Sequence, residues 1–408
     1  MTECDQGCED SSCLECFPDC SSIECGPEPV CGTDCGTCDD GWVCKEGTCV
    51  RQQQDCRVDG CDPGYHCNQD SGMCEQGCLV DSDCDDGLEC TTNTCGDDFL
   101  CITRPLSDCP WPAEPMADSD NITSIEGPVW DNDFYRDLSG AVWNPHTNTL
   151  WVCRNSGPSK VWAVSRTDDG SFEIASKNGE RGEWSDFGDL EGLTLADFEE
   201  PETLYLMIEG GGHIKEYDFS TYTNASLVND WNTSPQLGSD GAEGITFVPD
   251  EFLRDQGFVG QDGSAAASTQ GMGGLMFVGH QGGGYIHVFD LNRNDSSYIY
   301  LGRLKTDRDE TAGLEFDRST GLLFILHGAD HNVVEVSRLS SSVDGSERKL
   351  DTVMVFTGPE PIPLFSDNYE GIAVTSIDEC VDGQRGFFLT IDGGKLWSLI
   401  HFRHFSCF

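Results

Sequence analysis

The chain has 408 residues with 73 acidic and 23 basic side chains, so its formal net charge is −50. A surface of this charge repels nucleic acid and anionic membranes, and it favours Ca²⁺, a basic partner or simple solubility. No apolar run approaches the ~20 residues of a membrane span. We therefore predict no nucleic-acid partner and no membrane span.

The cysteines divide the chain into two parts. Twenty-one of the 24 cysteines lie in residues 1–109. A segment this rich in cysteine cannot build an apolar core of matching size, so it must be cross-linked or bound to metal. Because disulfides persist in oxidising compartments, the sequence predicts an extracellular or secretory-pathway location. A cytosolic protein with reduced thiols is the alternative.

Two further features bear on location. Four Asn-x-Ser/Thr sequons are predicted glycosylation sites, and they agree with secretion. They are Asn121, Asn224, Asn232 and Asn294. The first residues, MTEC, contain neither a basic n-region nor an apolar h-region, so we expect the numbering to begin inside a longer precursor.

The first 109 residues contain a repeat. Three segments share the pattern Cys-Asp-x-Gly-apolar-x-Cys with a period of 23 residues, at 38–49, 61–74 and 84–95. Asp-x-Gly supplies a turn, because glycine accepts positive φ and aspartate bonds its own backbone. The pattern predicts an array of small disulfide-stapled units over 1–109, which resembles the EGF-like or Dickkopf-like repeats of secreted proteins. We expect this array to act as a spacer, in adhesion or in assembly, rather than in catalysis.

A zinc site is the rival interpretation of part of this array. Cys13-x2-Cys16 and Cys35-x2-Cys38 have the spacing of a four-cysteine zinc site. Among 21 cysteines such spacings arise freely, and Cys38 already opens a disulfide-type repeat. Both interpretations remain open from the sequence.

After a predicted linker at 110–120, residues 121–408 read as β-strands joined by Gly, Asn and Asp turns. A motif of the form acidic–Gly–apolar–x–apolar recurs, and its glycines are Gly140, Gly192, Gly244, Gly313 and Gly371. Most copies begin a unit that consists of a strand, a turn, a second strand, a Gly-rich turn and a third strand. Repeats of this length are typical of propeller blades, so the predicted fold is mainly β, with a five- or six-bladed β-propeller after the disulfide-rich array. Residues 121–136 or 217–235 are the candidates for a sixth blade.

The motifs also resemble a known family. LSGAVWNPHTNTL (138–150), DLEGL (189–193), IEGGG (208–212) and EGI (243–245 and 370–372) are similar to the SdiA-regulated, YjiK-like propellers, which are grouped with the phytase-like propellers. The resemblance covers about residues 121–402. It implies a propeller in which acidic residues hold calcium, and it implies little about a substrate.

The repeat predicts a ring of side chains at one mouth of the propeller channel. The first strand of each blade begins at this mouth and the second strand ends there. The motif therefore brings Glu191, Glu243 and Glu370 together, and the second strands add Glu209 and Asp392. We predict these five residues as a Ca²⁺ site, because hard cations prefer several carboxylate oxygens. Asn155, His280 and His327 reach the same face.

Two other interpretations of this ring remain open. In the first, each glutamate bonds the backbone of the neighbouring blade and locks it in place. In the second, a metal-bound water attacks a phosphate or carboxylic ester, with His280 or His327 as the acid–base. Phytate hydrolysis is disfavoured because its phosphates need clustered Lys and Arg.

The three late cysteines predict cross-links. Cys380 and Cys407 both belong to the last blade and are predicted to pair. Cys153 would then pair with an upstream cysteine and clamp the array onto the propeller, or stay free or intermolecular.

These observations favour an extracellular structural or interaction protein, a subunit of a surface matrix or filamentous appendage, over an enzyme. Its predicted partners are other extracellular proteins or copies of itself, and its propeller is the predicted Ca²⁺-binding face. The alternative is a secreted, calcium-dependent hydrolase of phosphate or carboxylic esters. A soluble receptor for a cationic ligand is the third hypothesis.

Overall fold

The computed structural model describes residues 42–45, 48–51, 65–68, 73–85, 88–96, 101–125, 137–155, 157–328, 332–360, 368–392 and 397–408. The chain divides into two compact units. The first comprises Met1–Gly87 with Asn93–Ile102, and the second comprises Leu88–Thr92 with Thr103–Phe408. The zinc candidates Cys13, Cys16, Cys35 and Cys38 lie outside the described residues.

Short hairpins occur in the N-terminal part of the chain. They are β1 (Trp42–Lys45) with β2 (Thr48–Arg51), β3 (Tyr65–Asn68) with β4 (Met73–Gln76), and β5 (Thr91–Cys95) with β6 (Cys101–Pro105). In the first unit, disulfides join Cys78 to Cys95 and Cys84 to Cys101. The predicted disulfide-rich N-terminal region is thus confirmed for the described cysteines.

The remaining strands form four-stranded antiparallel blades. They are listed here by blade. Blade I contains β8 (Leu138–Asn144), β9 (Thr149–Arg154), β10 (Lys160–Arg166) and β11 (Phe172–Ile174). The next strands, β12 (Ser176–Lys177) and β13 (Glu180–Arg181), form a separate two-stranded sheet, and β14 (Glu183–Ser185) pairs with β10 as a short fifth strand of blade I. Blade II contains β15 (Leu190–Leu195), β16 (Thr203–Ile208), β17 (His213–Asp218) and β18 (Ser226–Asn232), followed by helix α1 (Ser234–Leu237).

The other three blades follow the same plan. Blade III contains β19 (Ala242–Pro249), helix α2 (Asp250–Asp255), β20 (Gly274–His280), β21 (Tyr285–Leu291) and β22 (Tyr298–Lys305). Blade IV contains β23 (Gly313–Asp317), β24 (Leu322–His327), β25 (Val333–Asp344) and β26 (Glu347–Thr357), and one parallel bridge, Lys305 to Lys349, joins blades III and IV into an eight-stranded sheet. Blade V contains β27 (Asn368–Val374), β28 (Gln384–Asp392) and β29 (Leu399–Ser406), and the earlier strand β7 (Asp120–Asn121) is its outermost strand.

The motif glycines pack the first strands of the blades against one another in a closed ring. A methyl group on Gly140 would lie 2.9 Å from Gly192 Cα, and one on Gly192 would lie 2.8 Å from the peptide oxygen preceding Gly244. A methyl group on Gly244 would lie 2.7 Å from Gly313 Cα, and one on Gly313 would lie 3.2 Å from Gly371 Cα. One on Gly371 would lie 2.9 Å from Gly140 Cα, which closes the ring. Only glycine allows backbones to approach this closely.

The described residues of the second unit therefore form a five-bladed propeller, and five is one of the two predicted blade numbers. The segments predicted as candidates for a sixth blade belong to other blades where the structure describes them. Residues 217–235 supply the end of β17, β18 and α1 of blade II, and residues 120–121 complete blade V. Residues 126–136 lie outside the described residues.

The core lies between the blades. Trp151 and Trp184 of blade I stack with their rings 5.7 Å apart, and Phe219, which follows β17 of blade II, packs edge-on at 4.9 Å from Trp184. Large buried aromatic rings of this kind contribute most of the apolar area in such a core. Similar clusters of buried residues fill the other blades and the spaces between them.

The predicted linker 110–120 is packed within the second unit. Trp111 lies edge-on against Phe402, with ring centroids 5.0 Å apart, and Pro112 O accepts a hydrogen bond from Ser406 N at 2.9 Å. Cys109 forms a disulfide with Cys90 in the same unit. The predicted boundary at residue 109 stays a prediction.

Two of the late cysteines are joined, and the third is not. Cys380 and Cys407 form a disulfide that closes 27 residues of blade V. Cys153 is a free thiol, fully buried, and its Sγ accepts a hydrogen bond from Gly140 N at 3.1 Å. The predicted disulfide between Cys153 and the N-terminal array is therefore wrong, because this thiol lies in the contact between two inner strands. Because this thiol is buried, Cys153 cannot form an intermolecular disulfide in the folded protein.

Candidate cation site at the upper mouth

The upper mouth is the end of the channel at which the first strand of each blade begins. Glu191, Glu243 and Glu370 each stand one residue before a motif glycine, so the glycine ring brings them together. Their charges act on one another: Glu191 and Glu370 both raise the pKa of Glu243. The predicted convergence of these three residues is thus present in the structure.

A β-bulge positions each of these side chains. The antiparallel register shifts between Leu190 and Gly192, between Ala242 and Ile245, and between Tyr369 and Gly371. A bulge leaves one residue out of the ladder and turns its side chain aside. The sequence acidic–Gly therefore places a carboxylate at the mouth. In blade IV, where Ala312 occupies this position, the described pairing of β23 with β24 is regular.

The hydrogen bonds of Glu191 fix its position. Ser139 Oγ donates to one carboxylate oxygen at 3.2 Å, and Asn155 Nδ2 donates to the other at 3.4 Å. Asn155 Oδ1 is buried and has no hydrogen-bond partner. Oxygen atoms of Asp189, Glu191 and Glu209 all lie within 4.8 Å of one another, which is the spacing of a metal-binding group. Glu209 also accepts a hydrogen bond from Gly241 N.

The mouth raises the pKa values of its carboxyls. Burial, followed by the charges of Glu209 and Asp189, raises the pKa of Glu191 to about 7. Burial and the charge of Glu191 raise the pKa of Glu370 to about 8 and that of Glu243 to about 10. At neutral pH these groups cannot all be ionised unless a cation compensates them.

Asp392 belongs to this cluster, because its charge raises the pKa of Glu370. Two acidic residues of the cluster were not predicted. Glu310 raises the pKa values of Glu243 and Glu370, and Asp189 lies within the group described above. Each stands two residues before the residue that precedes the motif glycine, which is Glu191 in blade II and Ala312 in blade IV. An acidic residue at that offset was the signal that could have identified them.

The two histidines have other roles. His280 Nε2 bonds Leu237 O at 3.0 Å, and its Nδ1 accepts from Gly282 N at 2.9 Å. His327 is fully buried, with Nδ1 against Glu310 O and Nε2 3.0 Å from Glu335. Since both nitrogens of each ring are occupied, this geometry gives no support to either histidine as a general acid–base.

The sequons differ in accessibility. Asn224, Asn232 and Asn294 are exposed, whereas Asn121 is half-buried and its Oδ1 accepts a hydrogen bond from Thr123 N at 3.1 Å. Glycosylation at these four residues stays a prediction.

Comparisons with known proteins do not assign this chain to a family. No protein-family model matches the chain, and no curated protein matches it. A solved structure described as "Crystal structure of Nidogen/Laminin Complex" is similar, with 14% sequence identity and a TM-score of 0.34 over 63% of this chain and 73% of that chain. A similarity at this level carries no argument about function, and the resemblance to SdiA-regulated and phytase-like propellers stays a prediction. Within the described residues, no helix is long and apolar enough to cross a membrane.

Proposed function

We propose that this protein is an extracellular interaction protein whose propeller binds Ca²⁺ at the upper mouth. The observation that carries the proposal is the convergence of buried carboxylates from different blades. Glu191 and Glu243 are only 7% and 4% exposed. Burial raises the pKa values of both, and the charge of Glu191 raises the pKa of Glu243 further. A divalent cation relieves this repulsion, and carboxylate and amide oxygens are the ligands that Ca²⁺ prefers.

The cation would lie beside Glu191. Asp189, Glu191 and Glu209 supply carboxylate oxygens, and Asn155 supplies a buried amide oxygen without a partner. Glu243, Glu370 and Asp392 would provide further negative charge or ligands around it. When bound, the ion supplies a fixed positive charge that joins the starts of several blades.

The extracellular location is supported by the disulfides. Four are present among the described residues: Cys78–Cys95, Cys84–Cys101, Cys90–Cys109 and Cys380–Cys407. Several disulfides in one chain are typical of an oxidising compartment, where such bonds persist. The propeller then offers a rigid, cross-linked face to other extracellular proteins or to copies of the same chain, as in a surface matrix or a filamentous appendage.

Calorimetric titration of Ca²⁺ into the EDTA-stripped full-length protein tests the cation site. We expect saturable binding at neutral pH that releases protons, because carboxyls with raised pKa values must ionise to hold the ion. Titrations in buffers of different ionisation enthalpy measure the protons released. Glu191→Gln should abolish binding, whereas Glu173→Gln, an exposed control on β11, should leave it unchanged. Equal binding by wild type and Glu191→Gln would refute the site.

The interaction role needs a separate measurement. Native material isolated without reductant should sediment as a polymer or as a complex with another extracellular protein, and EDTA should shift that distribution. A monomer that captures no partner, with or without Ca²⁺, would refute this part of the proposal. Turnover of phosphate or carboxylate esters that is lost with EDTA would favour the hydrolase instead.

A further inference from the structure

The lower mouth, at which the first strands of the blades end, contains an arginine that crosses the channel. Arg318 follows the inner strand β23 of blade IV, and its Nη2 donates a hydrogen bond of 2.5 Å to Leu195 O at the end of β15 in blade II. Blade III lies between these two blades in the ring. Arg318 therefore spans the opening rather than lying between neighbouring strands.

The Arg318 guanidinium lies against two aromatic rings. Its Cζ lies 4.0 Å from the ring centroid of Phe198 and 5.6 Å from that of Phe247. Such stacking fixes the plane of the group and leaves its edge available for hydrogen bonds. Apart from the bond to Leu195, the guanidinium has no hydrogen-bond or ion-pair partner among the described residues.

A buried acid shares the cavity with this arginine. Glu315 is 5% exposed, and its carboxyl has no hydrogen-bond partner among the described residues. It lines the same small cavity as Arg318 and Phe198 at the lower mouth. Asp317 lines the same cavity. Burial, and secondarily the charge of Asp317, raises the pKa of Glu315 well above its ordinary range, and the charge of Arg318 opposes this shift.

This small cavity adjoins two larger ones that also contact Arg318. One, of about 340 Å³, lies between blades II and III and is walled by Tyr205 and Phe247. The other, of about 410 Å³, lies on the side of blade I. Exposed carboxylates, Asp197 and Glu251, stand at the rim of the first, where Arg293 is already paired with Glu200 and Glu216. The deep part of the groove thus offers hydrogen-bond donors, whereas its rim is negative.

We propose that this groove binds a small carboxylate-bearing ligand, with the carboxylate against the Arg318 guanidinium. The planar edge of a guanidinium matches the two oxygens of a carboxylate. The negative rim disfavours a second anionic group and favours a cationic one. The preferred ligand therefore has a carboxylate at one end and an ammonium group at the other.

Saturation-transfer NMR on the full-length protein tests the proposal, with γ-aminobutyrate, acetate and succinate as probes. We expect the zwitterion to bind more tightly than acetate, and acetate more tightly than the dianion succinate. Arg318→Gln should weaken the binding of γ-aminobutyrate about tenfold or more, because a charge-assisted bidentate contact is lost. Arg338→Gln, an exposed arginine on β25, is the matched control and should bind as wild type does.

Two further variants keep the test decisive. Arg318→Lys retains the charge but loses the planar edge, so we expect binding weaker than wild type even if Arg318→Gln does not fold. Glu315→Gln leaves no carboxyl charge beside Arg318 and should retain binding. Binding that is unchanged in the folded Arg318 variants, no signal from any probe, or equal binding of succinate and γ-aminobutyrate would overturn the proposal. None of these results depends on Ca²⁺ at the upper mouth.

Discussion

At the scale of single residues, Glu243 shows most clearly how burial and charge act together. It is 4% exposed, and burial comes first among the causes that raise its pKa to about 10, followed by the charges of Glu191 and Glu370. A folded-state pKa above the unfolded one means that the folded protein holds a proton that the unfolded chain releases. Stability from this group is complete below its ordinary value of 4.5 and is lost as the pH rises toward 10.

Glu243→Gln should therefore stabilise the EDTA-treated protein at alkaline pH. We expect its melting temperature to exceed that of wild type by about 2–4 °C near pH 8, equivalent to ~1 kcal/mol, and the difference to vanish near pH 4. Calorimetric scans across this pH range measure it, with Glu173→Gln as the exposed control. Saturating Ca²⁺ should reverse the order, since wild type then gains a ligand that the variant lacks. A variant less stable than wild type in EDTA at pH 8 would contradict this account.

The sequence could predict some of these residues and not others, for physical reasons. Glu191, Glu243 and Glu370 were predictable because each occupies the same place in a repeat. Arg318 was not, because nothing in its local sequence indicates that its side chain crosses the channel to Leu195, which is 123 residues away. The roles of His280 and His327 were not predictable either, since their partners are set by tertiary contacts and not by position in the repeat.

At the scale of elements, the inner strands of neighbouring blades approach one another closely. Gly244 N donates a hydrogen bond to Ala312 O at 2.6 Å, which joins the first strands of blades III and IV directly. A Cβ at this position would lie 2.6 Å from Leu314 N and 2.7 Å from Ala312 O. These neighbours are backbone atoms of an inner strand, so they cannot move aside without opening the ring.

Gly244→Ala should consequently destabilise the propeller. We expect a loss of about 3 kcal/mol in the free energy of unfolding, because the added methyl overpacks a contact between backbones. Denaturant titration followed by tryptophan fluorescence measures the loss. Gly210→Ala is the matched control, since its methyl would meet only the side chain of Asp189, at 3.3 Å from Cβ and 3.6 Å from Oδ2, and little change is expected. Equal stability of the two variants would show that the ring tolerates expansion.

The repeat predicted the inner strands well but not the completion of the last blade. The intervals between motif glycines are long enough for four strands, and this is why the propeller was predictable. Strand β7 has only two residues, Asp120 and Asn121, and its partners Ile400 and His401 lie at the other end of the unit. A strand this short has no periodicity of its own, so only the folded structure reveals it.

At the scale of the whole molecule, the net charge of −50 opposes folding through self-repulsion. Only 23 basic side chains are available to compensate 73 acidic ones. The compact state must therefore tolerate many unpaired carboxylates. The disulfides offset part of this repulsion because they limit how far the unfolded chain can expand.

Added salt should stabilise the Ca²⁺-free protein. We expect the melting temperature to rise by several degrees between about 0.01 M and about 0.5 M NaCl, because the screening length falls from ~30 Å to a few Å. Near the sequence pI of about 4.1 the same addition should have little effect, which provides the control. A melting temperature that is independent of salt at neutral pH would mean that repulsion does not limit stability.

The pairing of Asp120 with His401 and of Asn121 with Ile400 has a mechanical consequence. Because these strands are antiparallel, the chain enters the propeller before residue 120 and continues past residue 401 on the same side of blade V. A pulling force applied through those two points would open this pair like a zipper, one bond at a time. Upstream of β7, the backbone of Cys109 bonds Val355 and Thr357 of blade IV, so a force applied through the N-terminal segment would load blade IV before it reached this pair.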